Sequence, residues 1–304
     1  MKSSPDPVSP LHGGEVHKYR VAGALAGVVN GLFGGGGGKP AEKYKEYLNQ
    51  SYGPDSLQTY DLYVPTDRGD TPGLILYIHG GAWTSGDKAS YRSVIKDIAV
   101  NRGYAAASVN YRFLSQNVTM DDILADVNAA ANAIYDRAKT DGFTLLKMIA
   151  AGSSAGAHLA LMYAYHTPAD AKIQPVAVCS QCAPTDLSDP NFYADGMVFQ
   201  NNYLQLVTSV VGQNATNETL AQYTARYSPV TYAAAAVPTV IAHGQRDNVV
   251  PYSNAVTLDA ALTANGVKHL FITYPNSGHA LENDADCAER FYEAFAAYAA
   301  AYLS

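Results

Sequence analysis

Three side chains in this sequence have the chemistry needed for acyl transfer. Ser154 is the central residue of a GSSAG motif at 152–156, His279 follows a Ser-Gly pair, and Asp247 precedes it in a separate segment. A neutral imidazole, with an ordinary pKa of about 6.5, can take a serine proton and return it to a leaving group. A carboxylate that accepts the other ring N–H fixes the tautomer and stabilises the imidazolium. We predict that Ser154 is a nucleophile, His279 its general base and Asp247 the orienting acid.

The surroundings of Ser154 carry more weight than the motif, which often occurs by chance. An apolar run at 145–151 predicts a strand before it, and a helix-like run at 155–165 follows it. A nucleophile on a sharp strand-to-helix turn needs small neighbours two residues away on either side, where Gly152 and Gly156 stand. The helix also directs its first N–H groups at the developing negative charge.

A second motif, HGGAW at 79–83, follows a predicted strand that lies upstream of the serine. A tetrahedral intermediate carries a localised negative charge, and backbone N–H groups stabilise it where glycines permit close approach. We therefore predict that Gly81, Ala82 and Ala155 form an oxyanion hole.

The first and last residues of this motif have less defined roles. His79 precedes the serine and lies inside the predicted oxyanion loop, so we expect it to fix the loop rather than act as a base. Trp83, the only tryptophan of the chain, is predicted to line the substrate pocket. Packing beneath the loop is the alternative that the sequence leaves open.

Other candidates for base and acid compete less well. The remaining histidines lie before the domain, on the helix after the serine or at strand ends: His12, His17, His158, His166, His243 and His269. Asp186 follows an earlier predicted strand and is the rival acid, with a turn or cap role as its alternative. Arg112 and Asp126 are expected to form a structural ion pair or loop clamp.

The sequence also bears on metals and cofactors. Cys179 and Cys182 fall in an apolar run that predicts a strand, where this spacing points the side chains to opposite faces. We expect buried thiols rather than zinc or redox chemistry, and we predict no metal and no cofactor.

Short β-rich runs alternate with longer helical ones, which is typical of a mostly parallel sheet flanked by helices. Helical spacing is found at 123–138, 155–165 and 284–302. The predicted strands are 60–64, 74–79, 105–111, 145–151, 176–182, 239–243 and 270–274.

The chain divides into two predicted parts. Residues 1–38 form a leader with an apolar stretch at 21–33 and five glycines at 34–38. We expect a packing helix there, with the remnant of a secretion signal as the alternative. The catalytic domain covers 39–304 and includes a small cap at about 187–236, which contains the aromatic residues Phe192, Tyr193, Phe199, Tyr203 and Tyr223.

The charge balance excludes some partners. The formal net charge is −7, and neither Lys nor Arg forms a run. A basic patch for nucleic acid is therefore not expected, and the apolar stretch near the N-terminus is too short to span a membrane.

We predict a small, uncharged or weakly charged substrate. We expect a cytoplasmic protein, with secretion as the alternative, and the sequence leaves the oligomeric state open.

Five motifs together resemble the hormone-sensitive-lipase-like branch of the α/β-hydrolases: HGGAW at 79–83, NYR at 110–112, GSSAGAH at 152–158, Asp247, and SGH at 277–279. Within that branch the chain is most similar to bacterial carboxylesterases resembling feruloyl and carbohydrate esterases. The resemblance covers roughly residues 57–303. Ala82 departs from it, because the branch usually has a third glycine there.

This resemblance implies a three-layer α/β-hydrolase fold with a mostly parallel, eight-stranded sheet and a small cap insertion. It also implies a serine carboxylesterase that hydrolyses small esters through an acyl-enzyme without a cofactor. Short acyl esters and carbohydrate-linked acetyl or feruloyl esters are the expected substrates.

Two other classes stay open. A serine peptidase of this fold would use the same triad, although such enzymes commonly carry a large N-terminal propeller. A non-catalytic binding protein of this fold normally lacks a triad member, and here all three are present.

Overall fold

The computed structural model describes residues 43–67, 73–115, 117–200, 208 and 224–303. The predicted leader at 1–38 and most of the central part of the predicted cap, including Tyr203 and Tyr223, lie outside the described residues.

Within the described residues, eight strands form one sheet in the order β1-β2-β4-β3-β5-β6-β7-β8. The first two strands and β4 pair antiparallel, whereas β4, β3 and all later strands pair parallel. The strands are β1 Tyr44–Ser51, β2 Thr59–Pro65, β3 Leu74–Ile78, β4 Ala105–Val109, β5 Lys147–Ser153, β6 Gln174–Gln181, β7 Thr239–Gly244 and β8 His269–Tyr274.

Helices cover both faces of this sheet. The α-helices whose bounds the structure gives are α1 Arg92–Asp97, α2 Met120–Thr140, α3 Ala155–Tyr165, α4 Ser253–Ala264 and α5 Ala285–Tyr302. Residues of α1 and α5 pack in the apolar core on one face, and residues of α2, α3 and α4 pack in the core on the other. The molecule therefore has the three layers of an α/β-hydrolase.

The central strands are apolar along their whole length because both of their faces are covered. Every residue of β3, with the sequence LILYI, and of β4, with the sequence AAASV, is buried. Parallel sheets in which helices cover both faces show such continuous apolar runs rather than an alternating pattern. The seven strands predicted from these runs are all present.

The strand β1 was not predicted from the sequence. Its residues, YKEYLNQS, are mostly polar and partly exposed, because β1 is an edge strand that pairs with β2 alone. The pairing is also irregular between Tyr47 and Gln50, and Asn49 has a positive φ of 51°. A polar, bulged edge lacks both the alternation and the apolar run by which strands are recognised.

A buried ion cluster fixes the segment after β3 to the sheet. Asp61 of β2 is fully buried, and its carboxylate lies 3.1 Å from Lys88 Nζ and 2.7 Å from an Arg92 guanidinium nitrogen. The same carboxylate accepts a hydrogen bond from the Asn49 backbone N–H. Lys88 is itself only 3% exposed, so its charge depends on Asp61 for compensation.

Asp61→Asn removes this compensation and should lower the free energy of unfolding by about 3 to 5 kcal/mol, because a buried cation is left unpaired. Asp136→Asn is the matched control, since Asp136 pairs with Lys172 where both side chains are largely exposed. It should cost less than about 1 kcal/mol. Urea denaturation at pH 7 measures the free energy of unfolding of both variants. Equal losses in the two would contradict the role of Asp61 in compensating the buried charge of Lys88.

Candidate active site

The turn between β5 and α3 holds Ser154 in a strained backbone conformation. Its φ of 56° and ψ of −127° are disfavoured for any residue with a side chain, at a cost of about 1 to 3 kcal/mol. Two backbone bonds maintain it: Ser154 N–H donates to Gln181 O at 2.8 Å, and His158 N–H donates to Ser154 O at 3.0 Å. Such a turn projects the serine side chain away from the strand and helix that flank it.

The glycines around Ser154 are required by backbone contacts. A Cβ on Gly156 would lie 2.0 Å from the carbonyl oxygen of Ile78, at the end of β3. A Cβ on Gly152 would lie 2.5 Å from the carbonyl carbon of Gly156. Since none of these neighbours is a flexible side chain, the strand, the turn and the helix can approach this closely only without side chains at both positions.

The loop after β3 lies directly against the nucleophile turn. A Cβ on Gly80 would lie 2.7 Å from Ser153 O and 3.2 Å from Ser154 Cβ. The next three residues all have positive φ: 121° at Gly81, 50° at Ala82 and 60° at Trp83. Alanine can adopt a φ near 50° at a modest energetic cost. The chain can therefore have Ala82 where related proteins have a third glycine, and it keeps the backbone N–H at that position.

The NYR motif at 110–112 supports this loop from behind. The Tyr111 hydroxyl donates to His79 O at 2.9 Å, and the two rings stack with centroids 4.3 Å apart. Asn110 accepts a hydrogen bond from the Lys88 backbone N–H at 2.6 Å. Burial lowers the pKa of His79 to about 4, so its ring is neutral at pH 7. These contacts agree with a loop-fixing role for His79.

The predicted ion pair between Arg112 and Asp126 is confirmed. The guanidinium lies 2.8 Å from the carboxylate, which is 2% exposed. Asp126 also accepts hydrogen bonds from the Arg112 backbone N–H and from Gln58 Nε2. The pair clamps the segment after β4 onto α2 and the start of β2.

Trp83 points away from solvent and is 2% exposed. Its indole N–H donates to His158 Nδ1 at 3.2 Å, and the two rings meet edge to face. These contacts are those of the packing alternative, and the described residues supply no contact specific to a substrate pocket.

Asp247 lies in the loop after β7 and is surrounded by hydrogen-bond donors. One carboxylate oxygen accepts the backbone N–H groups of Val249 and Val250, at 2.8 and 2.9 Å. The other accepts His279 Nδ1–H at 2.7 Å. Burial opposes ionisation of this carboxyl, but the imidazoles of His279 and His243 outweigh it and hold its pKa well below the usual range. Asp247 is therefore a carboxylate at neutral pH.

His243 is a second imidazole beside the same carboxylate, and the sequence reasoning missed it. Its Nε2 lies 3.2 Å from Asp247 Oδ2 and 3.0 Å from Val250 O. Because a backbone carbonyl only accepts, this nitrogen carries a proton and acts as a donor. Cys182 shares this buried cluster, whose ligand-type atoms lie within 4.8 Å of one another. A protonated Nε2 is unsuited to metal coordination, so the arrangement serves to hold the carboxylate.

The loop that carries His279 is tied to the start of α5. Ser277 Oγ donates to Asp284 at 2.6 Å, and Asn283 N–H donates to Ser277 Oγ at 2.9 Å. The loop packs closely on β7, because a Cβ on Gly244 would lie 2.3 Å from Gly278 O. The acid and histidine loops are therefore held together through their backbones.

Asp186, the rival acid, makes local contacts instead. Its carboxylate accepts hydrogen bonds from the backbone N–H and the hydroxyl of Ser188, at 2.9 and 2.6 Å. This is the geometry of a turn residue, and Asp247 is the carboxylate in contact with His279.

The structure thus brings the predicted residues together in two contact sets at the carboxyl edge of the sheet. One set contains the Ser154 turn, Ala155 and the loop with Gly81 and Ala82. The other contains Asp247 and His279. His158 and His243 are two of the six histidines that the sequence analysis set aside, and each stands four residues from a predicted triad member.

Comparisons with known proteins agree with this fold. The family model described as BD-FAE matches residues 60–262. The sheet and helices are those of an α/β-hydrolase, and the relatives with assigned activities include carboxylic ester hydrolases. The chain belongs to the BD-FAE family of esterases.

Two curated relatives match most of the chain. Isoprenylcysteine alpha-carbonyl methylesterase of Arabidopsis thaliana is 26% identical over 75% of this chain and 55% of its own length. The probable carboxylic ester hydrolase LipM of Mycobacterium tuberculosis is 27% identical over 70% of this chain and 51% of its own. The chain therefore spans about half the length of these relatives.

Solved structures share the fold at lower identity. A truncated carbohydrate esterase from gut microbiota has a TM-score of 0.69 at 21% identity, covering 87% of this chain and 99% of that one. Esterase 2 of Thermogutta terrifontis, phosphoramylated by tabun, has a TM-score of 0.62 at 21% identity, covering 86% and 95%. In the part of the chain that the structure describes, no helix is both long and apolar enough to cross a membrane.

The two buried histidines near the serine predict a loss of stability in acid. Burial lowers the pKa of both His79 and His158 to about 4, whereas an unfolded histidine has a pKa of about 6.5. The unfolded chain then binds more protons between these pH values. Each neutral, buried ring contributes fully to the free energy of unfolding above pH 6.5. As the pH falls this contribution declines, and at pH 4 it is lower by about 3 kcal/mol for each ring.

Urea denaturation between pH 7 and 4 measures this decline. In His158→Gln, the free energy of unfolding should depend less on pH, by the contribution of one ring. His166→Gln is the control, because His166 directly follows the same helix and is exposed, and it should keep the wild-type dependence. An unchanged dependence in His158→Gln would refute the assignment.

Proposed function

We propose that this protein is a serine carboxylesterase that acts through an acyl-enzyme formed on Ser154. The observation that carries the proposal is the contact between His279 Nδ1 and the buried carboxylate of Asp247 at 2.7 Å. It places the ring proton on Nδ1 and leaves Nε2 with the lone pair that a general base needs.

In the first half-reaction, His279 Nε2 takes the proton of Ser154 as the serine oxygen attacks the ester carbonyl carbon. The carbonyl oxygen becomes an oxyanion, to which the N–H groups of Gly81, Ala82 and Ala155 are proposed to donate. Collapse expels the alcohol, which receives the proton from His279. In the second half-reaction, water attacks the acyl-enzyme, with His279 again removing and returning a proton.

The environment of Asp247 suits this cycle. Its low pKa keeps the carboxylate charged while the imidazolium forms, so that the developing positive charge is compensated. Two backbone N–H groups and His243 hold the carboxylate in place, which limits reorganisation during the reaction.

The proposed substrates are small carboxylic esters, with carbohydrate-linked acetyl or feruloyl esters as the finer assignment. The carbohydrate esterase among the structural neighbours and the methylesterase among the relatives support ester substrates of this kind. Hydrolysis rates for acetyl, butyryl, octanoyl and feruloyl esters would rank the acyl groups. A peptidase would instead cleave short peptide amides, which belong in the same panel.

A serine-reactive phosphonate should label the wild-type protein at Ser154, with loss of activity toward p-nitrophenyl acetate. A structural neighbour, esterase 2 of Thermogutta terrifontis, is phosphoramylated by tabun, which supports the choice of an organophosphorus reagent. Mass spectrometry of the labelled peptide locates the site, and Ser154→Ala should neither be labelled nor turn over. Folded protein that resists labelling and leaves the ester intact would rule out the serine esterase mechanism.

Asp247→Asn and Asp186→Asn form a matched pair that tests the acid. Asp247→Asn should lower kcat by about 10⁴-fold, because asparagine favours the wrong imidazole tautomer. Asp186→Asn should change kcat by less than about threefold, since Asp186 contacts Ser188 and not His279. Steady-state kinetics with p-nitrophenyl acetate compares the two, and the reverse order would make Asp186 the acid.

A further inference from the structure

His158 is a buried histidine that the esterase mechanism does not use. It lies on α3, three residues after Ala155, and is fully buried. Both of its ring nitrogens have partners in other segments. Nδ1 accepts the indole N–H of Trp83 at 3.2 Å, and Nε2 lies 2.7 Å from the carbonyl oxygen of Tyr227.

These partners fix the protonation state of the ring. An indole N–H only donates and a backbone carbonyl only accepts, so Nδ1 must present its lone pair and Nε2 must carry the proton. Burial lowers the pKa of His158 to about 4, which keeps this single neutral tautomer at pH 7. A protonated ring would present a second N–H toward Trp83 and lose that hydrogen bond.

The contact joins the two sides of the predicted oxyanion hole. Trp83 immediately follows Ala82, whose N–H is one predicted donor, and His158 shares a helix with Ala155, which is another. Ala82 and Trp83 both have positive φ, a conformation that a side-chain anchor helps to maintain. The Trp83 carbonyl is also held, by Leu114 N–H at 2.9 Å.

The other end of the ring reaches the last part of the predicted cap. Tyr227 is 5% exposed and precedes the 3-10 helix Pro229–Ala235, which packs against α3. The same side chain therefore connects the loop after β3, the nucleophile helix and the chain that returns to β7.

From this arrangement we infer that His158 is a positioning residue, which fixes the oxyanion loop against the nucleophile helix through Trp83 and ties both to the last part of the predicted cap. The inference rests on the proposed esterase function. It also gives Trp83 a role in transition-state stabilisation that acts through the backbone of Ala82.

The energetic consequence should appear in the chemical step. A backbone donor stabilises the oxyanion only when it stands at hydrogen-bond distance from the position that the oxygen reaches in the transition state. Loss of one such donor typically lowers kcat by about 10²- to 10³-fold. If the loop shifts, its donor is displaced rather than lost, so kcat should fall by only about 10- to 100-fold, with little change in KM.

Three variants test this positioning role. His158→Leu and Trp83→Phe each remove the hydrogen bond from one side, whereas His158→Gln can retain an acceptor and a donor. Both removals should lower kcat by about 10- to 100-fold with KM within about twofold, and their combination should cost no more than the larger single effect. His158→Gln should recover most of the activity. His166→Leu is the control, because His166 is exposed and directly follows the same helix, and it should match wild type.

Affinity for an inhibitor separates positioning from general damage. A trifluoromethyl ketone forms a hemiketal oxyanion with the serine, so its inhibition constant should rise with the fall in kcat. A substrate-like amide that forms no adduct should bind equally well to wild type and His158→Leu. Equal changes for both compounds would overturn the inference.

The single tryptophan allows the contact to be observed without any activity. The indole ¹H–¹⁵N signal of Trp83 should be protected from exchange in wild type and should shift upfield in His158→Leu. An unchanged indole signal, or wild-type kcat in folded His158→Leu, would overturn the positioning role. An indole signal as expected in wild-type protein that hydrolyses no ester would overturn the proposed function instead, and the positioning role with it.

Discussion

The site depends on one steric constraint, the close approach of the backbone after β3 to the turn that holds Ser154. Gly156 leaves no room for a side chain against the carbonyl oxygen of Ile78, and Gly80 leaves almost none against Ser153. Strand, oxyanion loop and nucleophile helix therefore meet as backbone against backbone. This contact allows N–H groups from two separate segments to converge near one serine, and the strained conformations of Ser154, Ala82 and Trp83 persist because the surrounding sheet enforces them.

Polar side chains then hold each loop from behind. Tyr111 and Asn110 support the oxyanion loop, His158 connects it to α3, and Asp284 anchors the histidine loop. Each of these four groups makes hydrogen bonds within the protein, and such bonds favour loops that are preorganised for the reaction. The charged groups follow the same rule, since Asp61 and Asp247 are each buried among several donors.

Much of this arrangement was predictable from the sequence, for identifiable reasons. The apolar runs of β3, β4 and β5 predicted central strands because burial on both faces demands them, and GSSAG predicted the turn because its glycines have a steric cause. The edge strand β1 escaped prediction because its residues are polar and its pairing is bulged. The partners of His158 and His243 also escaped, because contacts between a helix, a loop and a strand end depend on tertiary distances that spacing along the chain does not encode. The rivalry between Asp247 and Asp186 could be weighed only by chain order until the contact with His279 was visible.

The helix α3 adds a constraint on how this sequence can change over evolution. All eleven of its residues, from Ala155 to Tyr165, are buried. Selection for a stable core therefore acts on the residues beside the nucleophile even when catalysis is not under selection. A descendant that had lost its activity would be expected to keep much of GSSAGAH for packing alone, while His279, in a loop exposed on one side, would be freer to drift. In such a lineage, retention of the histidine in this loop would indicate catalytic activity better than retention of the serine motif.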